Sequence, residues 1–253
     1  MRSYVKAKKR ACEEIWIYSD NNRLSVETIQ QELMAVINEL NNDPKINGIL
    51  VQLPLPKHLD EAEVLLAIDP KKDVDGFHPM NVGKMVVGEE AFLPCTPHGV
   101  IQLLLRNDVK LEGAKVAVVG RNNIVGKPVA NMLIQKSPTG NAAVTVCHTR
   151  TKNLAEEVKR ADIIIAAAGR PNTVTADMVK DGAVVIDVGV NRVEDATKKR
   201  GYRLVGDVDF EAVKEKASLI TPVFGSVGPM TITMLLYNTV ASAQKAAGIG
   251  AKK

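Results

Sequence analysis

From Ser25 to Leu40, apolar residues recur at Val26, Ile29, Leu33, Val36, Ile37 and Leu40. This is the stripe of an amphipathic helix, with Ser25 placed to cap it. After Asn-Asn-Asp-Pro, the run Ile46–Val51 reads as a buried strand ending at Gln52. The Leu-Pro-Leu-Pro that follows continues neither strand nor helix, so the chain turns out at that strand's C-terminal end. Asp60 then caps a short helix through Ile68. The second half is more regular. Lys115–Gly120 predicts a strand, and Gly126-Lys-Pro128 opens a helix with proline near its first position. Strand Ala143–Cys147, helix Asn153–Arg160 and strand Asp162–Gly169 come next. A short helix near Ala176–Lys180 leads to strand Gly182–Gly189, with a further strand near Leu204. Strands spaced by helical patterns predict a parallel, doubly wound α/β sheet. A Pro-punctuated stretch, Phe92–Pro97, precedes a helix Gly99–Leu105 and marks the preferred domain boundary.

Composition narrows the class. Over 253 residues, 45% are hydrophobic and 25% charged, as in an ordinary globular chain. Aromatics make up only 4%, so the core is aliphatic, which favours α/β over an aromatic-rich sandwich. Cys12, Cys95 and Cys147 are too scattered for a disulfide framework or a zinc site and fit a reducing cytosol. Basic residues exceed acidic ones by 33 to 29 and cluster only at Lys6, Lys8, Lys9 and Arg10, so nucleic-acid binding is not expected. The uncharged segment Ala217–Gln244 is interrupted by Pro222, Gly225, Gly228 and Pro229 and reads as strand, loop and short helix, with no membrane span. The N-terminus shows no secretory signal pattern.

The turn after the first strand of the second half reads GRNNIVGKP. Gly120 and Gly126 let backbone N–H groups approach a pyrophosphate at a helix N-terminus, although glycines that only pack a turn leave the same trace. The next strand ends in His148-Thr149-Arg150, with no carboxylate for ribose hydroxyls, and Arg121 follows the first glycine. Cations and a hydroxyl there suit the extra phosphate of NADP better than NAD. In the first half, Tyr4 and Lys8 share one helical face, a spacing more common in solvated basic faces. Gln52 ends a strand, where ligands of α/β sheets sit. Asp73 and Asp75 precede Gly76 in a turn or cap, and His78 and His98 lie beside Pro or Gly in loops. No spacing suggests a metal site.

Nine strings run in a shared order: SYVKAKKRACEEI, NGILVQLPLP, KDVDGFHPMNVGK, PCTPHGV, VVGRNNIVGKP, TVCHTRT, VVIDVGVNR, VGDV and TPVFGSVGPMT. From Ser3 to about Ser242 the chain closely resembles the bifunctional methylenetetrahydrofolate dehydrogenase/methenyltetrahydrofolate cyclohydrolase family. The resemblance implies oxidation of methylene-tetrahydrofolate with NADP, then hydrolysis of the methenyl product to formyl-tetrahydrofolate, in one-carbon metabolism. It implies a Rossmann-like NADP domain over residues 94–229 and a folate/catalytic α/β domain over residues 1–93. The latter is completed by a C-terminal helix within 230–253, with Thr231–Ser242 at its heart, and a cleft lies between the domains. Partners implied are tetrahydrofolate derivatives and a second copy of the chain, as a homodimer in the cytoplasm.

Position by position, Lys8 matches the family's catalytic lysine, Tyr4 the tyrosine beside the folate ring, and Gln52 the glutamine that hydrogen-bonds the lysine. Asp75 matches the carboxylate on the pterin's amino edge. Gly120, Arg121 and Asn122 fall where cofactor phosphates are met, Thr149 by the adenosine phosphate, and Val190 near the nicotinamide. Whether the lysine acts as base or as acid stays open on the sequence.

Three departures carry expectations. The chain starts at the catalytic helix, so the resemblance implies an N-terminally truncated folate-side domain without its central strand, with ladder groups and core surface exposed. Trp16 stands where the family has glycine and is strained if that position has φ > 0. Phe224 and Ser226 replace Pro and Gly in the loop FGSVGPMT, altering its backbone approach to ligands. The competing reading is a folate-incompetent NADP-binding remnant or regulatory fragment.

Overall fold

The computed structural model describes residues 2–198 and 200–249, and the chain divides into two units, Met1–Cys95 with Ile232–Lys253, and Thr96–Thr231. In the first unit, helix α1 (Arg2–Glu14) ends in a left-handed residue, Trp16, at φ 58°. The Ile17 N–H returns to the Cys12 carbonyl at 2.9 Å, closing the helix end, and the Trp16 side chain is 95% exposed. Ile15, Tyr18, Leu24 and Val26 beyond it are exposed too. Helix α2 (Gln30–Asn42) buries Leu33 and Ile37 against Ile49, Val64 and Ile68. It starts five residues after the expected cap. Ser25 Oγ instead accepts the Glu27 N–H within a turn, and the Glu32 carboxylate accepts the Ile29 N–H, so the helix is anchored from inside.

Ile46–Val51 is not a strand. Ile49 makes a single parallel bridge to Asp73, and the described residues of this unit supply no further strand to extend the ladder. The segment is buried at Ile49 as the apolar run demands, but burial alone does not make a ladder. Helix α3 (Glu61–Ala67) is capped as expected, with Asp60 accepting the N–H groups of Ala62 and Glu63. Helix α4 (Pro79–Val87) has no counterpart in the periodicity, because it is short and carries Gly83. His78 caps it, its Nδ1 accepting the Met80 N–H, so this histidine belongs to a helix start.

In the second unit, α5 (Cys95–Arg106) begins four residues before the expected Gly99. Pro97 lies in its first turn, where the missing N–H costs nothing, so the prolines there open a helix and His98 is helical. Strand β1 (Lys115–Val119), α6 (Gly126–Ile134), β2 (Ala143–Cys147), α7 (Leu154–Lys159) and β3 (Ile163–Ala166) alternate as the pattern requires. A single 3₁₀ turn, Ala176–Met178, precedes β4 (Val184–Asp187). Strands β5 (Asn191–Glu194) and β6 (Tyr202–Val205), helix α8 (Phe210–Val213) and β7 (Leu219–Ile220) follow, and then α9 (Val227–Ala246), which from Ile232 onward belongs to the first unit. Five strands form one parallel sheet in the order β2-β1-β3-β4-β7. Ile163, Ile164 and Ile165 are all 1% exposed or less, as in a strand covered on both faces. Each such side chain contributes about 1.5–3 kcal/mol by leaving water.

The strand expected near Leu204 does not join that sheet. β5 and β6 pair antiparallel as a separate ribbon, and their half-buried and exposed alternation suits one covered face. The expected short C-terminal helix is 20 residues long, since Gly228 and Pro229 fall in its first turn. Among the described residues no helix is long and apolar enough to cross a membrane.

Candidate active site

In the first unit, α1 places Tyr4 and Lys8 one turn apart, and the Lys8 ammonium lies 4.8 Å from the Tyr4 ring centroid. Lys8 Nζ donates to Gln52 Oε1 at 3.2 Å, while Gln52 Nε2 donates to the Leu53 carbonyl at 3.1 Å. That second bond fixes the glutamine's amide, so its oxygen faces the lysine. The peptide Leu53–Pro54 is cis. Burial lowers the Lys8 pKa, and attraction to Asp75 partly offsets it. The Asp75 carboxyl is pushed up to about 6 by burial, against the pull of Lys8 and a hydrogen bond from Cys95.

The neighbouring carboxylate has a different task. Asp73 accepts the N–H groups of Gly76, Phe77 and His78 and the Asn81 amide, so it holds the turn. Gly76 is at φ 75°, and a Cβ there would meet the Leu93 carbonyl carbon at 2.6 Å, so the turn admits no side chain. The composition did not single out Cys95 or Asn238. Cys95 Sγ donates to the Val74 carbonyl at 3.3 Å, and burial pushes its thiol pKa up, so it is a neutral donor beside Asp75. Asn238 is 3% exposed; it donates to the carbonyls of Val74 and Leu93 at 2.9 and 3.0 Å. The signal available was Thr231, Asn238 and Ser242, polar residues in one long helix whose only charge is Lys245 in its last turn.

In the second unit, β1 continues into Gly120 at the point where the sheet order reverses, the place where doubly wound sheets take ligands. Gly120 has φ 127°, and a Cβ on it would sit 2.1 Å from the Ala167 carbonyl oxygen. A Cβ on Gly126 would meet the Gly120 carbonyl oxygen at 2.3 Å. The two glycines therefore close one turn against each other, a seven-residue route to the tight approach that GxGxxG gives in fewer. Asn122 stabilises this turn: its Oδ1 accepts the Val125 N–H at 2.7 Å and its Nδ2 donates to the Ala167 carbonyl at 3.0 Å. Arg121 is exposed beside it. At the end of β2, His148 Nδ1 accepts the Arg150 N–H and Thr151 Oγ1 accepts the His148 N–H, leaving Thr149 exposed at the tip. Val190, 63% exposed, follows β4. A narrow glycine turn at a helix start, with the Arg121 cation beside it, fits the phosphates of a dinucleotide. Among the described residues no His, Cys, Asp and Glu side chains group as a metal site.

The model of the tetrahydrofolate dehydrogenase/cyclohydrolase catalytic domain matches residues 1–75, and that of the NAD(P)-binding domain matches residues 94–247. The chain belongs to the tetrahydrofolate dehydrogenase/cyclohydrolase family. It is 57% identical over 247 residues to the bifunctional protein FolD of Syntrophus aciditrophicus, covering 98% of this chain and 84% of the relative. The FolD 2 protein of Haloarcula marismortui is 54% identical, with 98% and 83% covered. Among solved structures, the bifunctional FolD dehydrogenase/cyclohydrolase of Campylobacter jejuni superposes with TM-score 0.89 at 51% identity, over 96% of this chain and 83% of that one. The Trypanosoma brucei FolD enzyme, solved with NADP cofactor and an inhibitor, gives 0.92 at 38% identity over 97% and 83%. The two-domain α/β architecture is thus the family's own.

Proposed function

We propose that Lys8, Gln52, Tyr4 and Asp75 carry the folate chemistry of this tetrahydrofolate dehydrogenase/cyclohydrolase, and that Gly120, Arg121, Asn122, Thr149 and Val190 hold its NADP. The enzyme oxidises methylenetetrahydrofolate to methenyltetrahydrofolate and hydrolyses that product to formyltetrahydrofolate. The observation that carries the residue assignment is the contact from Lys8 Nζ to Gln52 Oε1 at 3.2 Å, under the Tyr4 ring, which joins residues 44 positions apart.

The Asp75 carboxylate accepts the parallel N–H donors of the pterin's amino edge, which fixes the ring. Tyr4 flanks the folate ring on the Lys8 side. NADP supplies the acceptor for the hydride leaving the methylene carbon, and no protein group need remove a proton from that carbon. The hydrolytic step differs, because water adds to the cationic methenyl carbon and must lose a proton as the carbon–nitrogen bond opens. An amine whose pKa is lowered by burial, oriented by Gln52, is suited to moving that proton. On the cofactor side, backbone N–H groups at the Gly120 turn and the start of α6 meet the pyrophosphate, while Arg121 and Thr149 meet the adenosine phosphate. The Asn122 side chain is committed to the turn, so its part is to shape the backbone.

The domain reading that goes with this places the folate side at residues 1–93 with 230–253, and the NADP side at 94–229. A cytoplasmic homodimer completes the reading; free thiols at Cys12, Cys95 and Cys147 suit a reducing compartment, and sedimentation measures the dimer. A folate-incompetent remnant is disfavoured, because Tyr4, Lys8, Gln52 and Asp75 are all retained.

The test follows both reactions by absorbance, NADPH formation for the first and loss of the methenyl chromophore for the second. Lys8→Met keeps the stem and removes the amine. It is expected to abolish hydrolysis while a measurable fraction of dehydrogenase turnover survives. Unchanged hydrolysis would make Lys8 part of a solvated helix face only.

A further inference from the structure

Two carboxylates in the second unit have no part in the chemistry above. Asp187 ends β4 and is 3% exposed; Asp207 follows β6 and is fully buried. Their surroundings are reciprocal. A Cβ on Gly206 would stand 1.7 Å from Asp187 Oδ2, and one on Gly189 would stand 2.2 Å from Asp207 Oδ1. Each carboxylate thus fills the space that a side chain beside the other would need.

Every recorded hydrogen bond to these four oxygens is a donation to them. Asp187 Oδ1 accepts from the N–H groups of Gly189 and Asp207, and Oδ2 from Val208. Asp207 Oδ2 accepts from Ala168 and Gly169 at 2.6 and 2.8 Å, and Oδ1 from the Asn191 amide at 2.7 Å. The Asp187 N–H in turn donates to Thr221 Oγ1 at 2.8 Å. The pair therefore ties the segments after β3 and β4 to those after β6 and β7. Among the described residues neither carboxylate makes an ion pair. Burial and mutual repulsion raise the Asp187 pKa, and the N–H donors oppose that. Six N–H donors thus face the four oxygens.

The location gives the pair a use. Gly120, at the end of β1, takes the pyrophosphate, and the adenosine phosphate lies toward β2 at Thr149. The nicotinamide half of the dinucleotide must then run the other way, across the ends of β3 and β4. That edge is where Asp207 grips Ala168 and Gly169 and where Asp187 leads through Val188 and Gly189 to Val190. Oxidised nicotinamide is a positively charged ring, and the reduced ring is neutral.

We propose that Asp187 and Asp207 are positioning residues of the cofactor edge, and that their paired negative charge makes this edge prefer oxidised NADP over NADPH. The proposal rests on the reading of the second unit as the NADP unit. Burial away from solvent lets such a charge act at a distance that water would screen. Five of the six donors are backbone N–H groups, which cannot swing away as a side chain can.

The experiment measures dissociation constants of oxidised NADP and NADPH for the full chain, and for Asp187→Asn and Asp207→Asn, with thermal unfolding as a check of folding. Both variants are expected to weaken oxidised NADP more than NADPH, moving the ratio by about three- to tenfold, the size of a charge removed at moderate range. Thr221→Val cuts the bond from the Asp187 N–H without changing charge, and is expected to move both constants together. Equal weakening in the Asn variants, no change, or an equal ratio shift in Thr221→Val would overturn the charge preference. If the Asn variants fail to fold, Val190→Lys sets a cation on an exposed position beside the intact pair. It is expected to shift the ratio the same way, and an unchanged ratio overturns the proposal. A parent chain that binds neither form of the cofactor overturns the NADP reading itself and takes the pair's role with it.

Discussion

Asn238 Nδ2 donates to the Val74 carbonyl at 2.9 Å, across 164 positions of chain, and so fixes the residue immediately before Asp75. Asn238 also binds the Leu93 carbonyl, against which Gly76 packs. The turn that presents Asp75 is therefore held from the far end of the sequence.

Asn238→Leu leaves two buried carbonyls without their donor, which costs about 1–3 kcal/mol. Urea unfolding is expected to show that loss. KM for the folate substrate is expected to rise while the affinity for NADP stays at its parent value, since the proposed cofactor groups lie in the other unit. A KM unchanged at reduced stability would confine Asn238 to a structural part.

Asp75 itself gives a pH dependence. With its carboxyl at about 6, it loses its charge as pH falls through that value, so folate affinity is expected to drop below about pH 6. The stability effect has the opposite sign. The folded chain holds this proton more tightly than the unfolded one, so the contribution is present at acid pH and is lost as pH rises from about 4 through about 6. Asp75→Ala is expected to weaken folate binding and both activities together, to flatten the acid limb, and to leave NADP binding intact; calorimetry with each ligand reads the difference.

In the proposed reading, Arg121 offers its guanidinium to the phosphate that distinguishes NADP from NAD. Arg121→Ala is expected to narrow the affinity gap between the two cofactors by about 1–3 kcal/mol, the worth of a charge-assisted hydrogen bond. Equal affinities in the parent chain would remove the basis for that role.

Trp16 sits at φ 58°, a conformation that costs a side-chain-bearing residue about 1–2 kcal/mol. The ring is exposed, so Trp16→Gly loses little packing. Glycine also gains freedom in the unfolded chain, and the net expectation is a stabilisation of about 1 kcal/mol, read as a higher midpoint of thermal unfolding. A lower midpoint would mean that the indole contributes contacts that outweigh the backbone strain.

The parallel sheet was legible because its strands are continuous apolar runs ending in glycine or a polar residue, a pattern set by burial on both faces. The same pattern misled at Ile46–Val51, where burial occurs without a ladder, since hydrogen bonding between strands depends on a neighbour that local pattern does not report. Ser25 looked like a cap because it stands just before the apolar stripe, yet a turn used its hydroxyl first. Tyr4, Lys8, Gln52 and Asp75 could be listed from the resemblance, and the first two could be placed on one helix face. Nothing in local sequence brings Cys95 or Asn238 to Asp75, because those contacts span long stretches of chain. The Asp187–Asp207 pair stayed hidden for the same reason: each aspartate alone looks like an ordinary strand end.

The second unit is a single uninterrupted stretch, Thr96–Thr231, whereas the first is assembled from both ends of the chain. Ser242 donates to the Asn47 and Lys71 carbonyls, and Asn238 to those of Val74 and Leu93, so the first unit waits for partners that are made last. During synthesis, the segment made in the middle has all its sheet partners before the ribosome reaches α9, and it can fold while the earlier segment is still open. The order in which the two units mature is thus the reverse of the order in which their first residues emerge.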